Sequence, residues 1–487
     1  MTSHLSGPSG DSAPLRERVV RAGGWVTAGF LLDKLIATAQ LVILARLLTP
    51  ADFGLMAASA VVVLALLMLS EVGMDTALVS QRAVDQEDLA VAWTLGVGRG
   101  AVLAGLLWLT AEPIATFFRI EELAAFLRVH ALALLLQGAH NPAMVLLLRN
   151  LDFRSRVQLD LTRRLIEAGT TLLLALWIRS AWALLLGQLA GFAVGTLLSY
   201  RVSPFRPWFS LYRPALRRFM NFGKQVNLTT ACIFGVMSGG EFVVGRLLGA
   251  EGLGLYQIAM AIPMLIGVRA GITINQVCLP TYAMLQGDRA GLARAFALHM
   301  GLVGAILVPV CGGLALLAPA AVTILFGPQW MPVVEPLRIL CLFGLCAGCS
   351  NVMTALHYGL NRPETQTRTW RVQFAVYALL IIPLTARFGV IGASEALTAA
   401  FLVGLFLQAV FTLNILGAEA WGAFATVGRT SLLVLGIAWT IWAVGSLASE
   451  VMSLWVFAIC GVIGMSAYAW YVWCVEYPRL RDLWVRR

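Results

Sequence analysis

LARLLTPADFGLMAAS, residues 44–59, has a counterpart two hundred residues on in VVGRLLGAEGLGLYQIAMAIPML, residues 243–265. Arg46-Leu47-Leu48 followed by Gly54-Leu55 returns as Arg246-Leu247-Leu248 followed by Gly254-Leu255. Further on, Leu127-Arg128-Val129 returns as Leu337-Arg338-Ile339. Before each lies a Pro and then a Phe: Pro113 and Phe118, Pro319 and Phe326. The offset drifts only from 200 to 210 residues. The chain therefore carries one unit twice, in the same orientation, and the apolar runs make that unit six helices long. Parallel repeats related by an axis along the membrane normal are a transporter architecture, with the site between the halves near the midplane.

The composition around the repeat agrees. Of 487 residues, 59% are apolar and 12% charged; an average soluble domain has about 25% charged residues. Mean hydropathy is +0.82. A soluble enzyme of this length could not hide that much apolar surface in its cores. Disordered, collagen-like and disulfide-scaffold chains are excluded by the same figures. An all-α polytopic membrane protein remains, with about 14 transmembrane helices.

Spans 1–6 are expected at about 21–46, 53–79, 88–110, 122–148, 158–178 and 181–200. Spans 7–12 are expected at about 219–247, 253–281, 291–317, 333–359, 370–386 and 390–415, with spans 13 and 14 at about 426–447 and 451–475. The polar tail 1–20 shows no signal-peptide pattern. Residues 21–200 and 219–415 form the two six-helix lobes, and the linker 201–218 (RVSPFRPWFSLYRPALRR) joins them. Residues 416–487 add two helices and a basic tail.

With the N-terminus inside, 25 basic residues fall in cytoplasmic segments and five in outer loops. That positive-inside bias supports an even helix count with both ends in the cytoplasm. It also explains the net charge of +10 without nucleic acid. All eight cysteines lie in apolar segments, so the CxxC at Cys346 and Cys349 reads as packing. The histidines are dispersed and form no metal cluster. No P-loop occurs, so ATP is not expected as the energy source.

LARLLTPADFGLMAAS, VVGRLLGAEGLGLYQIAMAIPML, LFGPQWMPVVEPLRIL (325–340) and ARFGVIGASEA (386–396) carry a family resemblance. The chain resembles the multidrug/oligosaccharidyl-lipid/polysaccharide flippase superfamily, in its polysaccharide-transporter branch of Wzx-like, colanic-acid-exporter-like proteins. The resemblance implies two six-helix lobes in a V that opens alternately to each side. It implies an undecaprenyl-diphosphate-linked oligosaccharide as substrate, moved across the bacterial cytoplasmic membrane for exopolysaccharide, capsule or O-antigen synthesis. A polysaccharide polymerase or co-polymerase is a candidate partner. Spans 13 and 14 would form a groove for the lipid tail. One departure is Glu241, where this branch would carry Asp.

Ionisable residues inside the membrane cost a few kcal/mol each, so they are the functional leads. Span 1 carries Asp33 and Lys34, with Thr38 and Gln40 on the same broad polar arc. Span 7 carries Asn227, Thr230, Ser238 and Glu241; span 8 carries Arg269, Thr273 and Gln276. Arg and Lys suit phosphate oxygens, so Lys34 and Arg269 are the diphosphate candidates, with Arg99 of span 3 behind them. Thr38, Gln40, Asn227, Ser238, Thr273 and Gln276 would line the cavity and hold sugar hydroxyls. Asp33 and Glu241 are candidates for H+ or Na+ coupling, and no cofactor is expected.

A bland reading stands beside each. Asp33 and Lys34 could only neutralise one another, Arg269 could lock helices by pairing with Glu241 or Glu71, and the hydroxyls and amides could simply bond between helices. Arg128 and Arg338 are expected to snorkel or to pair with Glu122 and Glu335. Asp160–Arg164 and Arg163–Glu167 are expected as i, i+4 pairs. Glu71 and Asp75 are gate candidates or solvated helix ends.

Two other functions compete. An ion-coupled drug or small-solute antiporter would share the fold, but a cationic-drug pump would avoid Lys34 and Arg269. A glycan-assembly enzyme needs paired catalytic groups and sizeable outer loops. Glu121 and Glu122 diverge by about 100° on a helix and cannot make such a pair.

Overall fold

The computed structural model describes residues 15–70, 78, 85–149, 152–203, 205–212, 228–417, 421–422, 424–425 and 427–429. Among these residues every regular element is helical. The first half contains α1 (Leu15–Leu47), α2 (Pro50–Leu69), α3 (Gln86–Leu109), α4 (Ala111–Phe118), α5 (Leu123–Gly138), α6 (Val145–Arg149), α7 (Phe153–Ile178) and α8 (Trp182–Val202). The second half contains α9 (Leu228–Pro263), α10 (Ala270–Met284), α11 (Arg289–Leu316), α12 (Ala318–Leu325), α13 (Val334–Gly359) and α14 (Pro363–Leu416). A π-helical segment, Met264–Arg269, joins α9 to α10.

Eight helical stretches among the described residues are long and apolar enough to cross a membrane. Two of them are hairpins. Gly249 at φ 68° interrupts α9, and Gly389 at φ 61° interrupts α14. Both sit where a side chain would be strained, and glycine takes the turn at little cost. The reversal is proved by contacts. Gln257 bonds Glu241 across sixteen residues at 2.8 Å, whereas a continuous helix would part them by about 24 Å. Gln408 likewise reaches Gln366. With α5–α6 and the charged α7, each of spans 1–12 has its helix. Spans 13 and 14 lie outside the described residues, apart from a few positions near Val427.

Three departures from the expected spans have local causes. Span 4 breaks after Gly138, because Pro142 forces Asn141 into extended backbone, and the Asn141 side chain accepts from Ala143 N. Span 5 begins earlier, at Phe153, since Asp152 caps it by accepting from Ser155 N at 3.2 Å. Span 8 passes through Pro263 into the π segment, where the regular bond ladder is lost.

The chain clusters into two compact units. One comprises Met1–Leu48, Val62–Ile114 and Glu122–Gln225; the other comprises Thr49–Val61, Ala115–Glu121 and Val226–Arg487. In the first, residues 205–212 of the linker lie against α3. Ser210 N donates to Thr94 Oγ1 at 3.0 Å and its hydroxyl to Glu87 at 2.8 Å. In the second, Tyr282, Phe296, Met300, Cys349, Met353 and Leu356 form a buried cluster. Cys232, Cys278, Cys311, Cys341, Cys346 and Cys349 are all free and buried, as packing residues should be.

The repeat is visible inside the second unit as a reciprocal crossing. A Cβ on Gly54 would fall 1.6 Å from Ala250 O, and one on Gly254 would fall 1.8 Å from Pro50 O. Residues 50 and 250, like 54 and 254, are equivalents at the offset of the motif. The two copies therefore touch backbone to backbone about a local two-fold. Only glycine permits that approach.

Candidate functional site

Five charged residues of the first unit gather on the facing sides of α1 and α7. Lys34 Nζ donates to Asp33 Oδ2 at 2.6 Å. Arg164 Nε lies 3.7 Å from Asp33 Oδ1. Arg164 Nη1 donates to Glu167 Oε1 at 2.7 Å, and Arg163 Nη1 to Glu167 Oε2 at 3.4 Å. Lys34, Asp33, Arg164, Glu167 and Arg163 thus form one chain of alternating charge, with a net charge of +1. Each acid lies between two bases, so no carboxylate is left alone in a helix interior. Lys34 also stands 5.5 Å from the centre of the Phe30 ring, one turn back on α1.

The packing of α7 on α8 fixes this face. Gly187, Gly191 and Gly195 recur every four residues along α8. A Cβ on each would meet, in turn, Thr171 Oγ1 at 1.9 Å, Glu167 Cβ at 2.8 Å and Arg163 Cδ at 2.8 Å. The glycine groove accepts the stems of the α7 polar residues, as small residues do wherever membrane helices approach closely. On the other side, Val157 of α7 fills the space over Gly29 of α1. The stems of Glu167 and Arg163 are thereby seated against α8.

Two expectations about pairing are corrected. Asp160 faces Arg156 at 3.8 Å, not Arg164, whose guanidinium turns to Glu167 and Asp33. Arg128 pairs with Glu112 at 2.8 Å, not Glu122, and lies 5.5 Å from the Trp108 ring. Its repeat equivalent Arg338 pairs with Glu335 at 2.6 Å, as expected, and donates to Ala315 O.

The other candidates are spread through the two units. Gln40 is buried and Thr38 exposed on α1. Arg99, half-buried on α3, donates from Nε to Ser70 Oγ at 3.1 Å and from Nη2 to Leu67 O at 3.3 Å. In the second unit, Ser238 is buried and Glu241 accepts from Gln257. Arg269, Thr273 and Gln276 lie on described backbone, but their side chains lie outside the described residues, as do Asn227, Glu71 and Asp75 altogether. The spacing of the α7 charges predicts two pairs within that helix, Asp160–Arg164 and Arg163–Glu167. Their link to Asp33 is a contact 131 residues away, and no local spacing announces it.

No group of three or more His, Cys, Asp or Glu that could hold a metal exists among the described residues. His299 bonds Tyr282 and His357 contacts Thr412, both inside packed helices.

The chain and its fold are similar to known proteins. Residues 43–335 match the family model described as "Polysaccharide biosynthesis protein". The chain is 22% identical to the lipopolysaccharide biosynthesis protein WzxC of Escherichia coli, over 82% of this chain and 80% of that one. It is 31% identical to the succinoglycan biosynthesis transport protein ExoT of Rhizobium meliloti, over 64% of each. The fold is similar to that of the lipid II flippase MurJ in an inward closed conformation. The TM-score is 0.73 at 13% identity, over 91% of this chain and 98% of that one. It is also similar to an inward-facing multidrug resistance MATE family transporter, with TM-score 0.58 at 14% identity, over 82% and 96%.

Proposed function

The chain belongs to the polysaccharide biosynthesis protein family, in the polysaccharide-transporter branch of the flippase superfamily, and we propose that it translocates undecaprenyl-diphosphate-linked oligosaccharide across the bacterial cytoplasmic membrane. It is a multi-pass membrane protein, and relatives named for lipopolysaccharide and succinoglycan biosynthesis support a lipid-linked saccharide as cargo. The two six-helix lobes, 21–200 and 219–415, alternate in access, with both termini in the cytoplasm.

The observation that carries this reading is the charge chain Lys34–Asp33–Arg164–Glu167–Arg163 on two membrane helices. A diphosphate brings at least two negative charges and several strong acceptors. Lys34 and Arg164 can exchange Asp33 for phosphate oxygens, and Arg269 supplies a further cation from the second half. Thr38, Gln40, Asn227, Ser238, Thr273 and Gln276 hold sugar hydroxyls. A proton or Na+ on Asp33 releases Lys34 toward the substrate, and Glu241 serves as a second coupling carboxylate. Energy comes from an ion gradient, and a polymerase or co-polymerase receives the product.

The test is leaflet exposure in proteoliposomes containing fluorescent undecaprenyl-diphosphate oligosaccharide, with outer-leaflet label bleached by an impermeant reductant. Bleaching beyond the protein-free half, increased by an imposed pH or Na+ gradient, is expected. No excess bleaching with several glycans, from protein shown to be folded, would overturn the reading and favour a drug or small-solute antiporter.

A further inference from the structure

The first unit contains a partly open cavity of about 560 Å³ between α3, α5, α7 and α8. That size lies within the range of small-molecule sites, about 300–1,000 Å³. Along its wall α3 and α5 meet at very close range: a Cβ on Gly138 would fall 2.5 Å from Gly96 O, and one on Gly100 would fall 2.6 Å from Leu134 O. Asn141 and Pro142, where the chain breaks after α5, are part of the lining.

Three arginines line the cavity: Arg99, Arg156 and Arg163, against one acid, Asp160. Their formal excess is two positive charges. Adding the ion-paired neighbours Lys34, Asp33, Arg164 and Glu167 leaves that excess unchanged. The guanidiniums are partly engaged. Arg99 uses two donors on Ser70 and Leu67, Arg156 faces Asp160, and Arg163 uses one on Glu167 while lying 5.5 Å from the Phe192 ring. Each guanidinium has five N–H donors, so most are left for a ligand. Gln137 adds an amide to the lining, and Leu103, Leu134 and Leu159 form an apolar wall.

From this we propose that the cavity is a binding site for a phosphate monoester or diphosphate. Excess positive charge lining a cleft favours an anion there, and a phosphate monoester carries about 1.5 to 2 negative charges at pH 7. Planar guanidinium forks match phosphate oxygens. The apolar wall lies where a hydrocarbon attached to the phosphate would need cover. The phosphate comes from a lipid carrier or from a soluble ester. The site rests on the flippase reading only for what carries the phosphate.

The test is equilibrium binding to the purified full chain in detergent, by native mass spectrometry and calorimetry. The probes are undecaprenyl phosphate, undecaprenol and glucose 1-phosphate. Saturable binding of undecaprenyl phosphate but not undecaprenol, weakened about tenfold or more by Arg156→Gln and by Arg163→Gln, is expected. Glucose 1-phosphate binding with the same arginine dependence would assign a soluble source and keep the site. Equal binding of undecaprenol, or unchanged binding in both variants, would overturn the proposal. If Arg163→Gln does not purify as a monodisperse protein, the more exposed Arg156→Gln decides alone. Arg128→Gln, on an ion pair away from the cavity, should bind as the parent does. Binding intact with no transport would count against the flippase and leave the site; transport intact with no binding would do the reverse.

Discussion

The reciprocal crossing at Gly54 and Gly254 predicts a particular energetic signature. A Cβ on Gly54 would sit 1.6 Å from Ala250 O and 2.5 Å from Ala250 C. Ordinary C···O contacts lie near 3.3–3.6 Å, so the two segments must part by roughly 1.7 Å to admit one methyl group. The obstructing atoms are backbone, and no rotamer change relieves them. Overpacking of this kind costs about 1–3 kcal/mol, so Gly54→Ala and Gly254→Ala should each destabilise by about 2 kcal/mol. Parting the segments for the first methyl makes room for the second, because both sit in one crossing. The double variant should therefore cost less than the sum of the singles by about 1 kcal/mol or more, a coupling typical of residues in direct contact. The assay is reversible unfolding in mixed micelles titrated with a denaturing detergent, followed by tryptophan fluorescence. Singles within about 0.5 kcal/mol of the parent, or strict additivity in the double, would refute the reasoning.

Lys34→Ala and Arg269→Ala should each abolish transport in the proteoliposome assay while leaving membrane insertion intact; normal transport in both would remove the diphosphate assignment without touching the fold. Gly191→Ala brings a methyl to 2.8 Å from Glu167 Cβ, so it should lower stability by about 1–3 kcal/mol and reduce transport together. Parent-like values for both quantities would show that the α8 groove does not hold the charge chain.

The fold is largely legible because its governing signals are local. A buried span needs about twenty apolar residues in a row, and the motif around Arg46 and Arg246 marks the same turn twice. Even the hairpins at Gly249 and Gly389 fall within a residue or two of the expected span ends. What escaped is where the backbone breaks or caps itself. Pro142 interrupts a run that hydropathy alone reads as continuous. Asp152 adds a charged first turn to α7 that a hydrophobicity criterion would leave in the loop. Both have sequence signals, but these are single residues whose effect depends on a side-chain bond to a neighbouring N–H.

The site was legible in residue type and obscure in partnership. Lys34 and Asp33 stand out because charge in an apolar run is rare, and their mutual contact at 2.6 Å follows from adjacency. The α7 residues stand out less, since i, i+3 and i, i+4 spacing already offers them partners on their own helix. Arg164 shows why that accounting is incomplete: it satisfies Glu167 locally and reaches Asp33 on α1 as well. A paired network of net charge +1 holds its carboxylates without a ligand, so an anion that engages Lys34 or Arg164 does so by exchange, taking a cation from a carboxylate. On the proposed flippase reading, that exchange would couple substrate binding to cation or proton uptake at the carboxylate. On that reading Asp33, between Lys34 and Arg164, is the carboxylate at which the two events would meet.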